Sequence, residues 1–214
     1  MELDKLNQMF TGIYSGAFNH SLPGEHTITF WSVDNAGNVE DPTAAGHSIT
    51  LKIDNIKPTI SGSRTPAANA NGWNNTPVTV SFTCADAESG LAGCTAPLTL
   101  SNDGAGQFVT GNTQDNAGNT AEATVSNINI DQVAPDISGQ LPDPSGIDTN
   151  AAKWYTGNVS INWLCSDGLS GIDGSCPPNS TIGGEGRGLG AGPVSVSDKA
   201  GNSSSASVSG VNID

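Results

Sequence analysis

Basic residues are what this chain has least of. Seven Lys and Arg stand against 21 Asp and Glu, a formal charge of −14 over 214 residues. Nucleic acid is disfavoured as a partner, because its phosphates need Lys and Arg to displace their counterions. An anionic membrane surface is disfavoured for the same reason. Charged residues of both signs reach only 13%, so Ser, Thr, Asn and Gly must build much of the solvated surface. No apolar run is long enough to span a bilayer, and the opening "MELDKLNQMF" is acidic and lacks the apolar core of a signal peptide. A secreted reading therefore requires the chain to be a fragment without its signal peptide.

Helical periodicity is missing too: no long window carries apolar residues at i, i+3, i+4 and i+7. With 27 Gly and 12 Pro, many turns and short strands are expected, and an all-β protein. There is no G-x-S-x-G, no H-E-x-x-H and no P-loop. The carboxylates sit in turn contexts, without a His or Lys partner at a meaningful spacing. No catalytic residue is assigned, and the expected protein is not an enzyme.

What the chain does have is repetition. "DNAGN" at Asp34–Asn38 returns at Asp115–Asn119, and "DKAGN" follows at Asp198–Asn202. "CADAESGLAGC" from Cys84 to Cys94 is answered by "CSDGLSGIDGSC" from Cys165 to Cys176. Cys84 and Trp73 both recur after 81 residues, as Cys165 and Trp154. The segments "KIDNIKPTISG" (52–62) and "NIDQVAPDISG" (129–139) also correspond, and "NID" closes the chain where a following module would begin. A period near 80 exceeds the 20–50 residues of solenoid units and suits a small sandwich domain. Two full modules are expected, 56–131 and 132–214. Residues 1–55 form an incomplete or variant module holding C-terminal strands only, with no cysteine pair and no Trp in the Trp73 position.

Within a module, strands follow from alternation. Val78, Val80, Phe82 and Cys84 share one parity, as do Val159, Ile161, Trp163 and Cys165, which predicts half-buried antiparallel strands. Later, Ala123 and Val125 give way to Ile128 and Ile130, and Ala206 and Val208 to Val211 and Ile213. The switch of parity predicts a β-bulge at the same place in both modules.

The pentapeptide fits a type I turn, with Asp at the first position and Gly at the fourth. Asp34 and Gly37, Asp115 and Gly118, and Asp198 and Gly201 thus read as hairpin locks, each Gly taking the left-handed conformation of a bulged hairpin. A second reading makes the Asp one ligand of a calcium site, although no D-x-D-x-D-G loop accompanies it. Better ligands stand at the joints. Asp54, Asp131 and Asp214 end their modules, and three residues separate the first two from Pro58 and Pro135, too few for a loose linker. Joined by Asp86, Glu88 or Asp167 from nearby loops, these carboxylates could hold calcium. The alternative is that they only terminate strands.

The cysteines read as two local disulfides, Cys84–Cys94 and Cys165–Cys176, which implies an oxidising compartment. Zinc is not expected, since His20, His26 and His47 all lie in the cysteine-free first segment. Trp73 and Trp154 have two readings, closure of one end of a sandwich or a platform for sugar rings. Trp31 and Trp163 are expected inside strands, and Trp163 has core parity.

"GEHTITFWSVDNAGNVE" (24–40), "IDNIKPTISG" (53–62) and "FVTGNTQDNAGNTAEATVSNINID" (108–131) resemble the bacterial Ig-like repeats of large secreted and cell-surface proteins. The resemblance implies tandem immunoglobulin-like antiparallel β-sandwich modules of about seven strands, serving as spacers or in adhesion. Related arrays bind calcium at their joints in a manner similar to cadherins, and others accompany glycoside hydrolases. The dense D-x-N-D-N linker of cadherins is not present here. The expected setting is extracellular, and the expected partners are neighbouring modules and a glycan or other cell-surface ligand. The rivals are a carbohydrate-binding accessory module using Trp73 or Trp154, and a calcium-stiffened adhesive rod. The short first module would leave sheet edges open, so self-association through residues 1–55 by strand addition is also expected.

Overall fold

A computed structural model describes residues 20–142 and 154–214. Among the described residues there are fourteen strands and no helix. β1 (Gly24–Thr29) and β2 (Ser48–Ile53) come first. β3 (Thr59–Thr65), β4 (Val78–Ala85), β5 (Leu91–Cys94), β6 (Leu98–Leu100), β7 (Gly104–Asp115) and β8 (Thr120–Ile130) follow. The last are β9 (Asp136–Gln140), β10 (Trp154–Tyr155), β11 (Val159–Ser166), β12 (Ser180–Ile182), β13 (Gly186–Ser197) and β14 (Ser203–Ile213). The chain divides into two compact units. One gathers Met1–Ser61, Thr83–Thr95 and Gly111–Ala123, the other Gly62–Phe82, Ala96–Thr110 and Thr124–Asp214.

In the first unit β1 and β2 form an antiparallel pair that places His26 opposite Leu51. β5 runs antiparallel to the end of β7, with Leu91 opposite Asp115. The second unit holds the apolar cores. The sheets run β3-β4-β6 and β5-β7-β8, then β12-β11-β9 and β10-β14-β13. Two short segments pair in parallel: Asn74 bridges Ile130, and β10 pairs with β14 through Trp154 and Asn212.

Alternation decides what is buried. Val78 and Val80 of β4 meet Val109 of β7 and Ile128 and Ile130 of β8, with Phe82, Leu100 and Val125 packed around them. Val159, Ile161 and Trp163 of β11 meet Ile182, Val211 and Ile213 in the same way. Each core is thus lined by two sheets facing each other, an arrangement consistent with a β-sandwich. The Trp163 indole donates to Ser180 Oγ at 2.9 Å, so its one polar atom is satisfied inside.

The predicted parity switch falls at Asn127 and Gly210, which have φ of 56° and 78°. Opposite β13 the register steps from Leu189↔Val211 to Ala191↔Val208, three residues of β14 spanning two of β13. That extra residue turns Val211 and Ile213 inward after Ala206 and Val208. Close approach explains the glycine of each "ISG". A Cβ on Gly139 would run into Val208 and stand 2.8 Å from Trp163, and one on Gly62 would run into Val125.

Candidate metal centres

Each joint is built from three segments that are far apart in sequence. The first is an aspartate that follows a strand, Asp54 after β2 and Asp131 after β8. The second is the loop after β4 or β11, which carries Asp86 or Asp167 and is closed by a disulfide, Cys84–Cys94 or Cys165–Cys176. The third is the DxAGN turn, with Asp115 at the end of β7 and Asp198 just after β13.

Local chemistry shapes each piece. Asp86 Oδ1 accepts from the amides of Glu88 (3.2 Å) and Gly90 (2.8 Å), and Asp167 Oδ1 from those of Leu169 (3.1 Å) and Gly171 (2.5 Å). These are Asx-turns, in which a short carboxylate gathers the amides ahead of it. In the pentapeptide, the Gly118 amide donates to Asp115 O and that of Gly201 to Asp198 O. Asp115 takes the Asn119 amide and Nδ2, both at 2.8 Å. Asp198 takes the Asn202 amide at 2.9 Å and Nδ2 at 2.7 Å.

The folded chain brings these carboxylates together. One oxygen each of Asp54, Asp86 and Asp115 lie within 4.8 Å of one another, and those of Asp131, Asp167 and Asp198 do the same. Asp115, Asp131 and Asp198 are 1%, 0% and 1% exposed. Among the described residues, no Lys or Arg forms an ion pair with any of the six. Two unit charges at that separation repel by about 3.5 kcal/mol at an effective dielectric near 20. A divalent cation would relieve this repulsion. Carboxylate oxygens are hard donors suited to calcium or magnesium, and the nearby cysteines are tied in disulfides, so no thiolate is on offer.

The same residues also stitch the joint. Asp54 accepts from the Ile56 amide at 2.9 Å and from the Ser89 amide at 3.1 Å and hydroxyl at 2.5 Å. The Ser89 hydroxyl first, then the Ile56 amide, hold the Asp54 carboxyl below its ordinary range. Asp131 accepts from the amides of Val133 (3.1 Å) and Ser170 (2.9 Å). Asn119 Nδ2 reaches the carbonyls of Asp54 (3.2 Å) and Ile56 (3.3 Å), and Asn202 Nδ2 those of Asp131 (2.8 Å) and Val133 (3.1 Å). The amides of Asn116 and Lys199 donate to Gly90 O and Gly171 O, both at 2.9 Å. At the second joint, Asn69 Nδ2 and Asn71 Nδ2 also reach Lys199 O, at 2.8 and 3.3 Å.

The expected calcium ligands Asp54, Asp86, Asp131 and Asp167 are therefore in the two clusters, whereas Glu88 is not: it contributes its amide to Asp86 and its side chain stays exposed. Asp115 and Asp198, read mainly as hairpin locks, turn out to be cluster members as well. Asp34 makes the same turn bonds, with the Ala36 and Asn38 amides and Asn38 Nδ2, but is exposed and joins no cluster among the described residues. Asp214 donates its amide to Tyr155 O and joins none either. Reading by motif missed Asn119, Asn202, Ser89 and Ser170. Their shared signal was that each keeps a fixed place in its repeat.

Trp73 is half-buried, its backbone clasped by Asn69. Trp154 is half-buried as well, with the Arg187 guanidinium 5.1 Å from its ring centre. No protein-family model matches this chain, and no curated protein matches it in sequence.

Proposed function

We propose that this chain is a non-enzymatic run of tandem immunoglobulin-like modules, serving as a spacer and adhesion region in a larger bacterial surface or secreted protein. Its work is mechanical: it holds successive modules in fixed register. The duplicated stitch carries this reading. At both joints the terminal aspartate is bound by a Ser amide of the next module, and the pentapeptide Asn binds two carbonyls of the connecting backbone. A linker serving only as a tether would leave those groups to water. The two disulfides favour an oxidising, extracellular setting. The test is the relative alignment of 56–131 and 132–214 by residual dipolar couplings. One shared alignment tensor is expected, and independent tensors would refute the reading.

A second reading is favoured by the paired carboxylate triads: calcium binds at both joints and stiffens them. Three carboxylates are fewer than the six to eight oxygens calcium takes, so affinity should fall in the weak range of extracellular modules, about 0.1–1 mM. Titration calorimetry with calcium chloride should give two sites. No heat at millimolar calcium would remove this reading and leave the stitch standing.

A further inference from the structure

We infer that Asn71–Gly72 is a self-modifying site, where loss of the Asn71 side-chain amide as ammonia releases the clasp of this loop on Lys199 at the second joint. Asn71 is the only Asn of the chain that is followed by Gly. Deamidation begins when a backbone amide nitrogen attacks the side-chain carbon of the Asn before it, and a glycine there has no Cβ to obstruct the approach. Asn71 is exposed, and a Cβ built on Gly72 would meet nothing within 4 Å, so the step has both room and water. The turn itself selects the glycine, since Gly72 has a φ of 83°.

The Gly72 nitrogen loses its proton and bonds to Asn71 Cγ, the Cγ–Nδ2 bond breaks, and ammonia leaves. Water then opens the cyclic imide at either carbonyl, leaving aspartate or isoaspartate at position 71. In the intact loop both reacting groups are tied. The Gly72 amide donates to Asn69 O at 2.9 Å, and Asn71 Nδ2 to Lys199 O at 3.3 Å. Attack therefore waits on opening of the turn. The product cannot remake the clasp, because a carboxylate has no hydrogen to give Lys199 O. It also adds a negative charge beside the segment that carries Asp198, one of three clustered carboxylates. Isoaspartate further lengthens the backbone by one carbon inside a turn that Asn69 closes. The Asn69 amide donates to Trp73 O at 2.8 Å, and its Oδ1 accepts from the Asn71 and Trp73 amides at 2.9 and 3.1 Å. The 2.8 Å bond from Asn69 Nδ2 to Lys199 O depends on that turn. Loosening of the joint rests on the stitched-joint reading above; the place of modification does not.

The test ages the whole chain in mildly alkaline buffer and follows each Asn by peptide mass spectrometry, with electron-transfer fragmentation separating aspartate from isoaspartate. Asn71 should convert several-fold faster than any other Asn, mostly to isoaspartate, and Asn71→Gln should stop the conversion at that position. As product accumulates, the Lys199 carbonyl-carbon resonance should shift and hydrogen exchange at the Trp73 amide should rise. Asn71→Asp should give part of the Lys199 shift without ageing. Conversion of Asn71 no faster than that of the other Asn residues would overturn the modification site. An aged, converted chain whose Lys199 resonance and Trp73 exchange match those of the fresh chain would overturn the release. Independent alignment tensors for 56–131 and 132–214 in the fresh chain would remove the joint reading, while the order of conversion still decides the chemistry.

Discussion

Removing the Asn202 side chain separates the two roles of the pentapeptide. Its Nδ2 donates to the Asp198 carboxylate at 2.7 Å and to the Asp131 and Val133 carbonyls at 2.8 and 3.1 Å. Asp198 and Asp131 are both buried, so water does not replace the lost donors freely. The Nδ2 group has two hydrogens to share among these three acceptors; counted as one bond to a charged acceptor, about 1.5–3 kcal/mol, and one to a neutral acceptor, about 0.5–1.5, Asn202→Ala should cost roughly 2–4.5 kcal/mol. Asn119→Ala should cost somewhat less, because its bonds to the Asp54 and Ile56 carbonyls are longer, at 3.2 and 3.3 Å. Asn38→Ala is the internal control. Asn38 makes the same 2.7 Å bond to its own aspartate, but both residues are exposed, so the expected cost is below about 1 kcal/mol. Urea unfolding of the three variants gives the costs, and hydrogen exchange of the Val133 amide reports on the second joint. If all three variants cost the same, the pentapeptide acts as a hairpin lock alone and the stitch contributes nothing.

Three other outcomes are expected. Calcium at a hundredfold over its dissociation constant should stabilise a joint by about 2.7 kcal/mol, and EGTA should lower the calorimetric melting temperature by roughly 10 °C or more; Asp198→Asn should abolish the response at the second site only. Because the Asp54 carboxyl is depressed in the folded chain, its contribution is complete above the ordinary value of 3.8 and is lost as pH falls through the lower folded value; the protection factor of the Ser89 amide, taken relative to its intrinsic exchange rate at each pH, should therefore fall below about pH 4, and Asp54→Asn should remove that dependence. Gly139→Ala would press a methyl group into Val208 and Trp163, costing roughly 1–3 kcal/mol or more by denaturant unfolding, whereas Gly157→Ala, with open space around it, should be close to neutral.

Much of the secondary structure was legible from residue order alone. A period of two along Val78–Cys84 and Val159–Cys165 specifies which side chains turn inward, because successive side chains on a strand point to opposite faces. The parity switch located the irregularity, a register shift at Gly210 and a positive φ at Asn127, and the two cysteine pairs, each spanning about ten residues, pointed to local crosslinks. The shape of each pentapeptide turn followed from Asp and Gly preferences that act over four residues.

The second role of those aspartates was not legible, and the reason lies in the carboxylate. An ionised carboxylate offers about four lone-pair sites, and the turn bonds leave some of them over. What the remainder faces depends on where other segments lie. Asp54, Asp86 and Asp115 stand about 30 residues apart along the chain; no local preference links them, and it is the pairing of β5 with β7, the closure of the Cys84–Cys94 loop and the bonds from Ser89 and Asn119 to Asp54 that accompany their approach to within 4.8 Å. The repeat by itself determined which residues recur and at what spacing. Tertiary structure alone decided that the recurring residues face one another, because burial turned a solvated turn residue such as Asp115 into one of three carboxylates sharing a single site.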